Sequence, residues 1–273
     1  MKNVAFLLIL ISSMYPLHAQ INCDMYKRRG DMVKYEACRK SETTKGLYQF
    51  SKSYQQIMDE VLEIDSTFAD AYRKKSTAYL KSGDFVTWKY LIDRAVLYDS
   101  AGNLGYRGWC RYQFFRDYKG AIQDIETLEN MVNYDIGMSV NGDYHLNIAK
   151  GLCYKALGDT AKAIEVIEKQ LAVKGHFVGL YDYLHLGVLY YEIGEYPKAI
   201  ESLKRQVEEN NIAENQYYIA LVYKQLGELE KAKKALFLAA ERYAKKRMMF
   251  DPYTQPYDKV FLVDIERELK ALE

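Results

Sequence analysis

A pattern that returns five times along the chain limits its fold more than any other feature of the sequence. Corresponding turn positions, spaced by 33, 42, 36 and 33 residues, are occupied by Gly83, Arg116, Gly158, Gly194 and Gly227. A tyrosine lies four residues before each turn, and five residues after it lies Trp88 in the first copy and alanine in the other four. Self-similarity with a period of about 20 to 50 residues is typical of proteins built from stacked repeats.

Each copy has the composition of two short helices joined by a turn. In the most regular copy, Gly187 and Ala199 are small at the places where two antiparallel helices must approach closely. Gly194 tolerates the positive φ at which many helices end, and Tyr190 and Leu203 supply apolar bulk. One such pair of helices cannot bury its apolar face alone, so the pairs must stack.

This copy resembles the tetratricopeptide repeat (TPR). Tyr183, Leu186-Gly187, Tyr190, Ala199 and Leu203 follow the order of that family, an aromatic residue, Leu-Gly, Tyr, Ala and Phe over about 34 residues, with leucine here in the place of phenylalanine. The proline that usually follows the second helix is missing. The resemblance implies an all-α, TPR-type α-solenoid of stacked antiparallel helix hairpins.

The repeat divides the chain into four parts. We expect a signal peptide in residues 1–19, N-terminal helices with a degenerate repeat in residues 20–68, and five TPR-like hairpins in residues 69–249. Residues 250–273 are expected to form a loop and a C-terminal capping helix, with Asp258 as its N-cap.

The first residues have the features of a secretory signal peptide. Lys2 precedes an apolar run over residues 4–14, and the small residue Ala19 stands before Gln20. The run is shorter than the roughly 20 residues of a membrane-spanning helix. We therefore expect cleavage and a periplasmic or secreted protein, possible association with the cell envelope, and no transmembrane segment afterwards. A lipoprotein with a lipid on Cys23 is the alternative, although the preceding residues differ from the usual Leu-Ala-Gly.

Charge and cysteine content narrow the possible partners. Cleavage removes Lys2 from the 38 basic residues and leaves 37 basic against 37 acidic side chains, a balance that does not favour nucleic-acid binding. Four cysteines would meet an oxidising compartment, and a Cys23–Cys38 disulfide competes with two other pairings and with free thiols.

Nothing in the sequence indicates catalysis, a metal or a cofactor. The chain has no glycine-rich phosphate loop, no GxSxG and no HExxH motif, and no zinc-ligand spacing. His145, His176 and His185 lack a matching carboxylate or cysteine motif, so we expect no enzyme.

TPR proteins bind peptides or proteins in a groove lined by the first helix of each hairpin, and the resemblance implies the same here. The corresponding residues of this chain are Arg73, Thr77, Tyr106, Cys110, His145, Ile148, Leu152, Lys155, Tyr181, Leu184, Val188, Tyr191, Tyr217, Leu221 and Lys224. Aliphatic and aromatic residues replace the Lys and Asn that grip a C-terminal carboxylate in chaperone-type grooves. The groove therefore suits an apolar or extended segment, or its residues simply pack the array.

Three classes of function follow. The leading one is an exported protein-interaction scaffold, the second is a structural accessory of an envelope assembly that binds no peptide, and the third is an enzyme or small-ligand binder. The signal peptide together with residues 105–126, "GYRGWCRYQFFRDYKGAIQDIE", resembles exported TPR proteins of Bacteroidota. The identity of the protein partner is not encoded in these patterns.

Overall fold

The computed structural model describes residues 22–272, so the predicted signal peptide lies outside the described residues. Within that range the chain is almost entirely helical, and its β structure is a single bridge between Met138 and His145. The all-α prediction is confirmed.

The helices follow one another with short connections. They are α1 (Asp24–Arg28), α2 (Met32–Glu42), α3 (Lys52–Ile64), α4 (Ala69–Ser82), α5 (Phe85–Tyr98), α6 (Ser100–Cys110), α7 (Tyr118–Met131), α8 (Leu146–Ala156), α9 (Thr160–Leu171), α10 (Asp182–Glu192), α11 (Tyr196–Glu209), α12 (Ala213–Gln225), α13 (Leu229–Ala244) and α14 (Leu262–Lys270). A π-helical turn, Arg111–Phe115, extends α6.

The described part of the chain divides into two compact units, residues 22–91 and residues 92–272. In the first unit, α2 packs against α3 and α3 packs against α4. Met58, Val61 and Ala71 are fully buried there, beside a disulfide between Cys23 and Cys38 whose Cα atoms are 5.5 Å apart.

The second unit consists of stacked TPR-type helix hairpins. Its pairs are α6 with α7, α8 with α9, α10 with α11, and α12 with α13, and each pair packs against the next. The first helices α6, α8, α10 and α12 also contact one another in that order. We call the surface that they form together the first-helix face.

The turns inside the hairpins have a shared local cause. Gly158 has a φ of 84° and Arg116 takes the same left-handed conformation with a φ of 55°, so each ends its helix. The next residue begins the second helix, since the carboxylate of Asp159 accepts the Lys162 N–H at 3.0 Å and that of Asp117 accepts the Gly120 N–H at 3.0 Å. Arg116 thus serves as the turn residue that the repeat predicted.

Close packing within a hairpin explains the small residues of the repeat. A Cβ added to Gly187 would lie 2.6 Å from Cγ of Leu203 and 3.3 Å from the carbonyl oxygen of Ala199. Both distances are below ordinary van der Waals contact, so α10 and α11 can approach this closely only with glycine at position 187.

Candidate functional site

Residues 247–261, between α13 and α14, lie across the first-helix face, and we call them the return segment. It starts at the first turn of α12, where the Ala213 N–H donates to the carbonyl of Arg247 at 2.8 Å. The Met249 N–H donates to both carboxylate oxygens of Glu214, at 3.1 and 3.0 Å. Burial raises the pKa of Glu214, and hydrogen bonds from the backbone N–H groups of Glu214 itself, Met249 and Val260 oppose the shift.

The return segment next reaches the end of α6, three hairpins away. The side-chain amide of Gln113 donates to Oδ2 of Asp251 at 2.9 Å and to Oγ1 of Thr254 at 2.8 Å. The guanidinium of Arg116 donates to the carbonyl of Gln255 at 2.6 Å. Side chains just after α6 therefore hold the backbone and polar groups of an irregular stretch of chain.

Tyr257 follows and occupies an aromatic slot. Its ring stacks on Tyr112 with centroids 6.4 Å apart and an interplanar angle of 23°, and lies 6.1 Å from the ring of Tyr118. Its hydroxyl bonds that of Tyr118, and the guanidinium of Arg116 lies 5.4 Å from the ring centroid. Tyr112 in turn packs on Trp109, so the slot is continuous with the core.

Asp258 is the charged centre of the site. Its carboxylate accepts from Nζ of Lys155 at 2.6 Å and from Nδ1 of His185 at 2.6 Å, and Lys155 also pairs with Glu192 at 2.9 Å. Burial by itself would raise the pKa of Asp258, but the His185 hydrogen bond and the charge of Lys155 hold that pKa below its ordinary value. The segment is therefore fixed to α8 and α10 by a buried ion pair.

His185 connects this carboxylate to Tyr144. A carboxylate only accepts, so Nδ1 carries the proton toward Asp258, and Nε2 of a neutral ring accepts from the Tyr144 hydroxyl at 3.1 Å. Burial raises the pKa of Tyr144 far above its ordinary value, so its hydroxyl is a hydrogen-bond donor and a poor nucleophile. The arrangement positions groups and offers no activated nucleophile.

The other two histidines hold the long loops between hairpins. Nε2 of His145 lies 2.7 Å from Oδ1 of Asp135, and Nε2 of His176 lies 3.3 Å from Oδ2 of Asp182. Burial lowers the pKa of His145 although Asp135 opposes that shift. His145 also caps α8, because its Nδ1 accepts the Asn147 N–H at 3.1 Å. In residues 22–272 no cluster of His, Cys, Asp or Glu could hold a metal ion.

Most of the residues expected to line the groove are covered. Ile148, Leu152, Leu184 and Val188 are fully buried, and Cys110 is a buried thiol whose pKa burial raises to about 12. These five side chains are buried in the assembled chain, and the assignment of residues to a partner-binding groove stays a prediction.

The remaining groove residues separate by location. Tyr181 is buried and bonds the backbone of Phe250, and Tyr217 is buried near Arg267 of α14. Lys224 pairs with Glu268 of α14 at 2.7 Å. Tyr106, Tyr191 and Leu221 are half-buried on first helices of the second unit, whereas Arg73 and Thr77 are half-buried on α4 of the first unit, where Arg73 pairs with Asp70 at 2.9 Å.

The capping helix is present but begins later than the sequence indicated. α14 starts at Leu262 with Phe261 as N-cap and packs against α13 with Ile265 fully buried. Asp258 is not the cap, because its φ of 62° takes it out of the extended conformation of an N-cap and turns its carboxylate toward Lys155.

Sequence reasoning included Lys155 and Tyr181 among the groove residues but missed most of the other residues that hold the return segment. Gln113, Glu214 and Tyr257 belong to no repeat position, and Arg116 was noticed only as a turn residue. The one available signal was the polar and aromatic composition of "DPYTQPYD", residues 251–258, which is unusual for a mere linker.

Comparison with known proteins agrees with this architecture. The profile of the tetratricopeptide repeat family matches residues 144–176, which cover α8, α9 and the loop after them. Residues 144–176 therefore carry a tetratricopeptide repeat. Residues 22–272 contain no helix that is both long and apolar enough to cross a bilayer.

Solved structures with tetratricopeptide-type architecture are similar over most of the chain. PilF of Pseudomonas aeruginosa is 18% identical with a TM-score of 0.58, covering 81% of this chain and 89% of its own. The type IV pilus biogenesis factor PilW is 15% identical with a TM-score of 0.56, covering 81% and 90%. The Cut9–Hcn1 hetero-tetramer of APC/C is 15% identical with a TM-score of 0.56, and the match covers 91% of this chain and 44% of the matched chain. No curated protein sequence matches. At these identities the likeness shows the fold alone.

Proposed function

We propose that the chain is an exported protein-interaction scaffold that holds an extended segment of a partner protein on its first-helix face. The observation that carries this proposal is the return segment itself. Side chains from α6, α8, α10 and α12 hold an irregular stretch of chain by backbone hydrogen bonds, an aromatic slot and a buried ion pair. These are the contacts by which repeat proteins grip a peptide.

Two further observations support parts of the proposal. A disulfide between Cys23 and Cys38 fits an oxidising compartment, and a sulfur in a disulfide cannot also carry a thioether-linked lipid. The three described histidines each contact other side chains of this chain, which supports a binding role over a catalytic one.

Site-specific photo-crosslinking in the native host tests the surface. A photo-reactive phenylalanine analogue replaces Tyr191 or Leu221, which are half-buried on first helices, and in the control it replaces Phe237, which is exposed on α13. We expect adducts with a second protein from the first two positions and not from the third. Adducts from position 237 alone would move the interaction to the second helices.

A structural accessory of an envelope assembly is the second candidate. PilW is described as a type IV pilus biogenesis factor, and a role of that kind needs no peptide on the first-helix face. Co-purification with envelope complexes that is unaffected by changes at Tyr191 and Leu221 would favour this candidate.

Export has its own test. Intact-mass measurement on protein from the native host is expected to show a chain that begins near Gln20. Retention of Met1 would contradict export by signal cleavage, and a diacylated Cys23 would replace it with the lipoprotein alternative.

A further inference from the structure

We propose that the first-helix face is a specific site for an irregular segment in which a tyrosine is followed directly by an aspartate, and that the return segment is its competitor within the same chain. This inference rests on the proposed function and adds the chemistry of the partner. Tyr257 and Asp258 of the same chain occupy the site in the structure, and they show which chemical groups it binds.

The aspartate subsite is defined by two buried donors aimed at one carboxylate. His185 is completely buried and the Lys155 side chain is only 10% exposed, and both lie 2.6 Å from oxygens of Asp258. A buried ammonium group that loses its carboxylate partner is strongly destabilised, so this subsite discriminates against a neutral side chain. Glu192 remains beside Lys155 but cannot satisfy His185 as well.

The tyrosine subsite lies directly beside it. The ring of Tyr257 stacks on that of Tyr112 and lies beneath the guanidinium of Arg116, and its hydroxyl bonds that of Tyr118. A phenylalanine in this slot would keep the ring contacts and leave the Tyr118 hydroxyl without that bond. The two subsites together recognise a Tyr-Asp dipeptide. Gln113 forms hydrogen bonds with polar groups a few residues before that dipeptide.

The return segment occupies this site at a conformational cost. Among the described residues three non-glycine residues have positive φ, namely Lys246 at the entrance, Asp258 in the site and Arg116 beside it. Irregular segments of about 15 residues in compact domains are usually functional, and residues held at positive φ are strained. A segment from another chain needs no turn at position 246, so it can occupy the same subsites without that part of the strain.

Competition from the return segment determines the apparent affinity of the protein for an added peptide. Because the apparent dissociation constant is the intrinsic one divided by the fraction of open molecules, wild type should bind a matching peptide weakly. Asp258→Asn removes the cis charge and keeps Lys155 and His185 in place, so it should raise the open fraction. Glu266→Gln is the matched control, because it removes one negative charge from the exposed side of α14.

The experiment uses the full mature chain and a fluorescein-labelled peptide with the sequence of residues 251–262, DPYTQPYDKVFL. We expect Asp258→Asn to bind this probe at least about tenfold more tightly than wild type and Glu266→Gln. A peptide with asparagine in place of its second aspartate should lose at least about tenfold in affinity for the variant. Tyr257→Ala, which leaves the aspartate donors in place, serves as a second opened variant if Asp258→Asn does not fold.

Three outcomes would overturn the inference. One is that Asp258→Asn binds the probe no more tightly than wild type although hydrogen exchange shows that the return segment is released. Another is that the aspartate and asparagine peptides bind this variant equally well. The third is a dimer of Asp258→Asn that excludes the probe, which would make a second copy of the chain the occupant. Crosslinked partners at Tyr191 or Leu221 without a Tyr-Asp sequence would leave the proposed function standing while this inference fails.

Discussion

Replacement of Tyr257 by alanine is expected to release the return segment without unfolding the hairpins. The change removes the ring contacts with Tyr112 and Tyr118, worth about 0.5 to 1.5 kcal/mol each, and the hydroxyl bond, worth about 1 kcal/mol. The contact with Arg116 adds about 0.5 to 1 kcal/mol. Neighbouring contributions are not additive. We therefore expect the free energy of local opening to fall by about 2 to 4 kcal/mol.

Hydrogen exchange followed by mass spectrometry measures that opening directly. Amides of residues 253–260 should exchange about 30-fold to 1,000-fold faster in Tyr257→Ala, since 1.4 kcal/mol corresponds to tenfold. Tyr257→Phe should give a smaller acceleration, because it removes only the hydroxyl. Tyr253→Ala is the control, since that side chain is 59% exposed in the same segment and its ring contacts Phe114, outside the Tyr257 slot. Equal acceleration by the changes at 253 and 257 would refute the aromatic slot as the anchor.

Three other predictions concern stability. Replacing Cys23 and Cys38 by serine removes a link of sequence separation 15 and should destabilise the first unit by about 3 kcal/mol, seen in calorimetry as a shift of that unit's transition alone. Gly187→Ala forces a Cβ against Leu203 and should cost about 1 to 3 kcal/mol, more than the roughly 1 kcal/mol gained in helix propensity, and a higher urea midpoint would contradict this. The lowered pKa of Asp258 stabilises the fold above the unfolded pKa of about 3.9 and ceases to do so as pH falls through the folded value. Near-UV circular dichroism should therefore show acid loosening below about pH 4 that Asp258→Asn lacks.

The hairpins could be predicted because their determinants are local and repeated. Gly187 and Ala199 are separated by one turn and meet across it, and the residue before Asp117 must end a helix whether it is glycine or arginine. The same arrangement of tyrosine, turn residue and following residue occurs five times, which chance does not explain. The helices and their turns can therefore be predicted from the sequence.

The occupant of the first-helix face could not be predicted in the same way. Gln113 and Asp251 are 138 residues apart and occur once, so no periodicity relates them. Asp258 was assigned as a helix cap because an aspartate before an apolar run has the same local appearance in both roles. Its positive φ, and the pocket formed by Lys155 of α8 and His185 of α10, depend on contacts between hairpins that no local pattern records.

The distance along the chain between the two sides of the Tyr257 slot has a consequence for export. An exported chain leaves the translocation channel from its N-terminal end, so the hairpins that supply Tyr112 and Tyr118 emerge before Tyr257 does. During that interval the slot and the Lys155–His185 donors have no cis occupant, and a segment of another protein would compete with nothing. If the hairpins fold as they emerge, each molecule passes once through a state in which its first-helix face is open, and the order of emergence decides which segment reaches the site first.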